Sequence, residues 1–216
     1  MRLSLVGDAD AESIAPLVRD HLARGQLLAY PTETVYGLGS APEDGPLQHL
    51  ARLKGRRPGK PFLLLVSGRS MAASLGLVFT ASAAALADAF WPGPLTLVLA
   101  GGEGRLPAAL RGPEGGIAVR HTSHAALARL IGAVGHPLTS TSANRPGSAP
   151  APGADGVEAL FPDECRRGAL MLLDGGVLGN VPPSTLVDCT TPVPAVIRDG
   201  ALPREELRRR VGRLAP

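Results

Sequence analysis

Two short motifs hold the residues best suited to chemistry. Lys54-Gly55-Arg56 and Ser142-Ala143-Asn144 each place two polar side chains one residue apart, beside an apolar run. The first offers two positive charges on a turn, and the second a hydroxyl and an amide that both donate hydrogen bonds. Groups of this kind can hold a phosphate chain and stabilise charge that develops on phosphorus. Each motif also has a plainer reading: a solvated basic loop for the first, a locally satisfied strand end for the second.

Other candidates lie around them. Tyr30–Ser40 reads YPTETVYGLGS, and its Thr32, Glu33 and Thr34 could bind a small polar molecule. Gly37 and Gly39 would let the backbone approach a ligand closely, although a strand-end turn explains the segment equally well. Arg57 and Lys60 join Lys54 and Arg56 in one basic loop, which Gly55, Pro58, Gly59 and Pro61 punctuate. Ser140 and Thr141 precede Ser142. Arg120 and Arg198 each end an apolar run, where a guanidinium suits carboxylate or phosphate. Ser184 opens a further strand. No GxxxxGK[ST] loop, GxGxxG turn or GxSxG elbow is present, and no Cys/His spacing suits zinc.

The elements that must position these residues follow from periodicity. Strands are expected at 3–6, 27–30, 62–66, 95–100, 117–120, 137–142, 170–173, 186–188 and 193–198. Helices are expected from Asp10 to Gly25 with Ile14, Leu17, Val18 and Leu22 on one face, around 47–53, over 80–90, after a Thr122 cap, after Asp155, and from Pro203. Residues 145–154, RPGSAPAPGA, form a Pro/Gly-rich loop. Strands alternate with helices and then cluster, which predicts an α/β domain on a mixed sheet with helices on both faces. The polar motifs fall at strand ends, where such sheets bind ligands.

Composition narrows the classes. The 216 residues are enough for one domain with a sizeable core, and 44% are hydrophobic. Aromatics are 3%, which argues against a reader of stacked bases. The net charge of +3 and pI near 9.3 give a mild basic bias that suits an anionic ligand or a weak RNA contact. Cys165 and Cys189 read as free core thiols. Without an apolar leader or a ~20-residue apolar run, a soluble cytoplasmic protein is expected, with no membrane partner.

Taken together the chain resembles the YrdC/Sua5 family, the threonylcarbamoyl-AMP synthases. The matching pieces are YPTETVYGLG, KGR, FWPGPLTLVL, IAVR, SAN-x-x-G, LDGG, STLVD and VIRDG, in family order from about Leu5 to Gly200. The resemblance implies one YrdC-like domain over 1–216, with a core of about 5–200 and a basic C-terminal helix of about 203–213. Its sheet would be twisted and mixed, with a basic concave ligand cleft, and the chain would be the short single-domain form. It implies a nucleotidyltransferase that makes threonylcarbamoyl-AMP and pyrophosphate from L-threonine, bicarbonate and ATP, with Mg²⁺ on the phosphates. The product would serve modification of adenosine 37 in tRNA through a downstream threonylcarbamoyl transferase complex.

By the same resemblance, Lys54, Arg56, Lys60, Ser142, Asn144 and Arg198 would bind ATP, with Lys54 and Arg56 catalytic. Thr34, Arg120, Ser140 and Ser184 would bind L-threonine. Three positions depart from the family: Leu65 stands where many members carry histidine, and Pro146 and Pro150 where serines are usual. Residues 145–154 are expected to close over ATP. A rival reading is an RNA-binding or ribosome-assembly protein, based on the pI and on Arg208, Arg209, Arg210 and Arg213.

Overall fold

A computed structural model describes residues 1–56, 60–179 and 181–215. Arg57, Pro58 and Gly59 of the basic loop lie outside the described residues. The chain runs β1 (Arg2–Ser4), α1 (Asp8–Ala23), β2 (Leu27–Tyr30), β3 (Gly37–Gly39), α2 (Asp44–Lys54), β4 (Leu63–Val66), α3 (Arg69–Ser74), β5 (Leu77–Val78), α4 (Ala81–Phe90) and β6 (Leu95–Gly101). It continues with β7 (Ile117–His121), α5 (Ala125–Val134), β8 (Leu138–Ser142), α6 (Ala154–Leu160), α7 (Pro162–Arg166), β9 (Leu170–Asp174), β10 (Thr185–Asp188), β11 (Ala195–Arg198) and α8 (Arg204–Val211).

The strands join into one mixed sheet in the order β1-β9-β2-β3-β8-β4-β7-β6-β10-β11, with β5 on the side of β6. Both faces are covered, so the inner strands are apolar on both sides. On β2, Leu28 and Tyr30 face α1 and α5, while Leu27 and Ala29 face the opposite core with Leu50 of α2, Leu86 of α4 and Val157 of α6. Leu65 is fully buried among the α1/α5 residues. The α/β expectation is met.

Several details differ from the expectation. β3, α3, β5 and α7 are additional elements. Helix α1 begins one turn earlier than an Asp10 cap would allow: Gly7 is its N-cap, and Asp10 sits at N3, where its carboxylate receives the Val6 and Gly7 N–H groups. Leu17 is half exposed rather than on the buried face. His124, not Thr122, caps α5, because its Nδ1 receives the Leu127 N–H. Strand β7 does not end at Arg120 but continues through His121. Cys189 is buried, but Cys165 is only partly so.

Candidate active site

The basic turn and the polar strand end meet directly. Lys54 closes α2, and Gly55 after it adopts a left-handed conformation (φ 54°) that turns the chain away. The Lys54 Nζ, on a largely buried side chain, donates to the Ser142 carbonyl (2.8 Å), the Asn144 carbonyl (2.5 Å) and Asn144 Oδ1 (2.7 Å). The Ser142 hydroxyl also donates to Asn144 Oδ1, and Asn144 Nδ2 donates to the Ser148 carbonyl. Both polar atoms of the Asn144 amide are therefore engaged, and Nδ2 keeps a second N–H. Burial, then the charges of Arg56, Lys60 and Arg145, bring the Lys54 ammonium down to about 8.

Arg56 braces the same turn. It donates to the carbonyls of Lys60 and Pro61 and, at 3.0 Å, to Thr141 Oγ1, and it stacks over the Phe62 ring at 4.1 Å. Burial pushes its guanidinium down to about 10. The start of β4 and the end of β8 are thereby tied through one side chain. Lys60 joins through its backbone carbonyl, and its charge acts on Lys54.

A second cluster surrounds Arg120. Leu65 pairs in register with both Arg120 and Leu138, and Ser140 and Ser142 follow Leu138 at intervals of two along β8. Arg120, Ser140 and Ser142 therefore lie on the sheet face that carries α1 and α5. Arg120 is 4% exposed, and burial pushes it below its ordinary range while Glu33 pulls it back. Its Nη1 donates to Thr34 Oγ1 (3.3 Å) and lies 3.8 Å from Glu33 Oε1. The Thr122 hydroxyl donates to Glu33 Oε2, and Thr32 Oγ1 receives the Thr34 and Val35 N–H groups. Arg198, whose charge reaches Arg120, donates to the Ser184 carbonyl (2.9 Å), and Ser184 Oγ bonds Thr96 Oγ1.

The predicted residues thus fall into three linked groups: Lys54–Ser142–Asn144 with Arg56, Thr34–Arg120, and Ser184–Arg198. Ser140 stands between the first two on β8. Sequence reasoning missed the hydroxyl of Thr141 as the partner of Arg56, and Thr122 as the partner of Glu33. For Thr122, the signal was present but pointed to a helix cap.

One expectation about the surrounding backbone changes. Gly37 and Gly39 do not leave room for a ligand: a Cβ on either would come within 2.7 Å of the Tyr30 side chain, which lies across β3. The Tyr30 hydroxyl then reaches the Thr139 carbonyl. The loop after Asn144 is held at several points. Asn144 Nδ2 holds the Ser148 carbonyl, and the Ala151 N–H bonds the Ala143 carbonyl. Arg145 donates to the Leu160 carbonyl and stacks over Phe161. Pro146 packs beside Gly55.

A family model described as telomere recombination, Sua5_yciO_yrdC, matches residues 20–200. The threonylcarbamoyl-AMP synthase of Chromohalobacter salexigens is 41% identical over 77% of this chain and 88% of that protein. That of Thiobacillus denitrificans is 37% identical over 83% and 93%. Among solved structures, Pyrococcus abyssi Sua5 complexed with L-threonine aligns with all of this chain at a TM-score of 0.85 and 30% identity. This chain spans 63% of that longer protein. Escherichia coli YciO, at 23% identity, shares the fold with a TM-score of 0.81 over 96% of this chain and 98% of its own length.

Proposed function

The chain belongs to the Sua5–YciO–YrdC family, and from that premise we propose that it is a threonylcarbamoyl-AMP synthase. One observation carries the reading from the geometry. Strand β8 sets Ser142, bound to the Lys54 turn, two residues from Ser140 on the face of Arg120. The groups proposed to take phosphate and carboxylate would thus be adjacent along one strand.

In the proposed reaction the α-amine of L-threonine attacks bicarbonate, water leaves, and a carbamate forms. A carbamate oxygen then attacks the α-phosphorus of ATP, and pyrophosphate departs. Such a displacement needs alignment and charge stabilisation more than acid–base groups. Lys54, Arg56, Lys60, Ser142 and Asn144 would hold the phosphates, and Arg198 would reach the nucleotide. Lys54 and Arg56 would stabilise the charge that develops as pyrophosphate leaves. Arg120 would hold the threonine carboxylate, with Thr34, Ser140 and Ser184 around the rest of the amino acid. Arg120 is suited to this, because its Nη1 is engaged by Thr34 and Glu33 while its buried Nε lacks a partner among the described residues.

Mg²⁺ would arrive on the ATP phosphates as part of the substrate, where phosphate oxygens and water supply most of its ligands. The product would be consumed by a threonylcarbamoyl transferase complex acting on tRNA, with at most a weak tRNA contact here. Cytoplasmic action fits a chain in which no helix among the described residues is long and apolar enough to cross a membrane. The test is pyrophosphate release by the purified chain. It should require threonine, bicarbonate and ATP together, and release that ignores threonine would reject the reading.

A further inference from the structure

Glu33 is a carboxylate that the proposed reaction does not use, yet it is built into the site. Its side chain is 15% exposed, and the Thr122 hydroxyl holds Oε2. Its Oε1 is buried 3.8 Å from Arg120 Nη1 and has no hydrogen-bond partner among the described residues. Arg120 Nε, also buried, likewise has none among the described residues. A buried anion and a buried cation therefore stand side by side, each with one atom unsatisfied. Leaving such atoms unpaired is costly in a low-dielectric site.

This pairing matches the charges of a free amino acid, which carries a carboxylate and an α-ammonium on neighbouring atoms. A plain carboxylate would satisfy Arg120 but bring a second negative charge close to Glu33, and like charges at this range repel. Resting on the assignment of Arg120 to the threonine carboxylate, we propose that Glu33 is the specificity-determining residue that receives the α-ammonium. It would thereby select an amino acid over a plain carboxylic acid. Thr122 is then a positioning residue, because its hydroxyl fixes the orientation of the Glu33 carboxylate.

The experiment compares binding of L-threonine and of 3-hydroxybutyrate, which carries hydrogen in place of the amino group. Calorimetry on the whole chain, without nucleotide, makes the readout independent of adenylate formation. The wild-type protein should prefer threonine by roughly 10- to 100-fold, the range of a charge-assisted hydrogen bond. Glu33→Gln should erase most of that preference by weakening threonine alone. Thr122→Val should reduce it in the same direction, and it carries the test if the Glu33 variant does not fold. Equal weakening of both ligands would mean that Glu33 only supports Arg120, and would overturn the proposal. So would a wild-type protein that binds the two ligands alike or binds neither. Intact threonine-dependent pyrophosphate release without this discrimination rejects only the role of Glu33. Discrimination without pyrophosphate release rejects only the synthase reading.

Discussion

The Lys54 ammonium lies 2.7 Å from Asn144 Oδ1, which joins two motifs 90 positions apart in sequence. Its contacts with the Ser142 and Asn144 carbonyls make it the post on which the strand-end turn hangs.

If Lys54 holds nucleotide phosphate as proposed, nucleotide binding should be sensitive to pH. Burial and neighbouring cations place Lys54 near 8, below its ordinary 10.5. The ammonium is therefore present below about pH 8 and lost above it. ATP affinity, followed by titration at fixed ionic strength, should fall as pH rises through 8. Lys54→Arg should move the fall to higher pH, since a guanidinium keeps its charge. The same shift has a stability consequence of opposite sign. The unfolded chain holds this proton more tightly, so the Lys54 contribution to stability should rise between about pH 8 and 10.5.

Arg56 offers a test of the phosphate-clamp assignment. Arg56→Ala should lower turnover by roughly 10²- to 10³-fold, the usual scale for a lost charge-stabilising group. Arg56→Lys should not restore it, because one ammonium cannot reach Thr141 and the Pro61 carbonyl while stacking on Phe62. Steady-state kinetics at saturating ATP and threonine would decide: wild-type turnover in Arg56→Ala removes Arg56 from the chemistry, and wild-type turnover in Arg56→Lys shows that charge alone suffices.

Gly39 tests the packing beneath the site. A Cβ there would sit 2.0 Å from the Thr139 carbonyl oxygen and 2.6 Å from the Tyr30 hydroxyl. Gly39→Ala should destabilise the fold by about 3 kcal/mol, as overpacking between strands does. The urea midpoint should drop with an unchanged slope. A variant as stable as the wild type would show that β3 can move away from β8 at little cost.

These expectations show which features the sequence made legible. Strands such as β2 and β7 declared themselves through continuous apolar runs, and the Lys54 and Ser142 motifs through unusual polar residues at run ends. β3 stayed hidden because Gly37-Leu38-Gly39 carries no periodic signal and exists only through pairing with β2 and β8. For Gly37 and Gly39 the sequence leaves both ligand room and a strand-end turn open, and only the packed structure shows the Tyr30 ring in that space. Thr122 looked like a cap because capping residues and carboxylate-holding hydroxyls are the same residue types. The inward turn of Lys54 was also invisible: a sequence shows a cation, not the carbonyls that share it.

The most direct test of the central claim follows the carbon of bicarbonate. The purified chain would be incubated with ATP, L-threonine and ¹³C-bicarbonate, and the nucleotide products examined by mass spectrometry. A threonylcarbamoyl-adenylate carrying the label, formed together with pyrophosphate and absent without threonine, is the predicted result. Pyrophosphate accompanied only by unlabelled adenylate, or no threonine-containing nucleotide at all, would contradict the account.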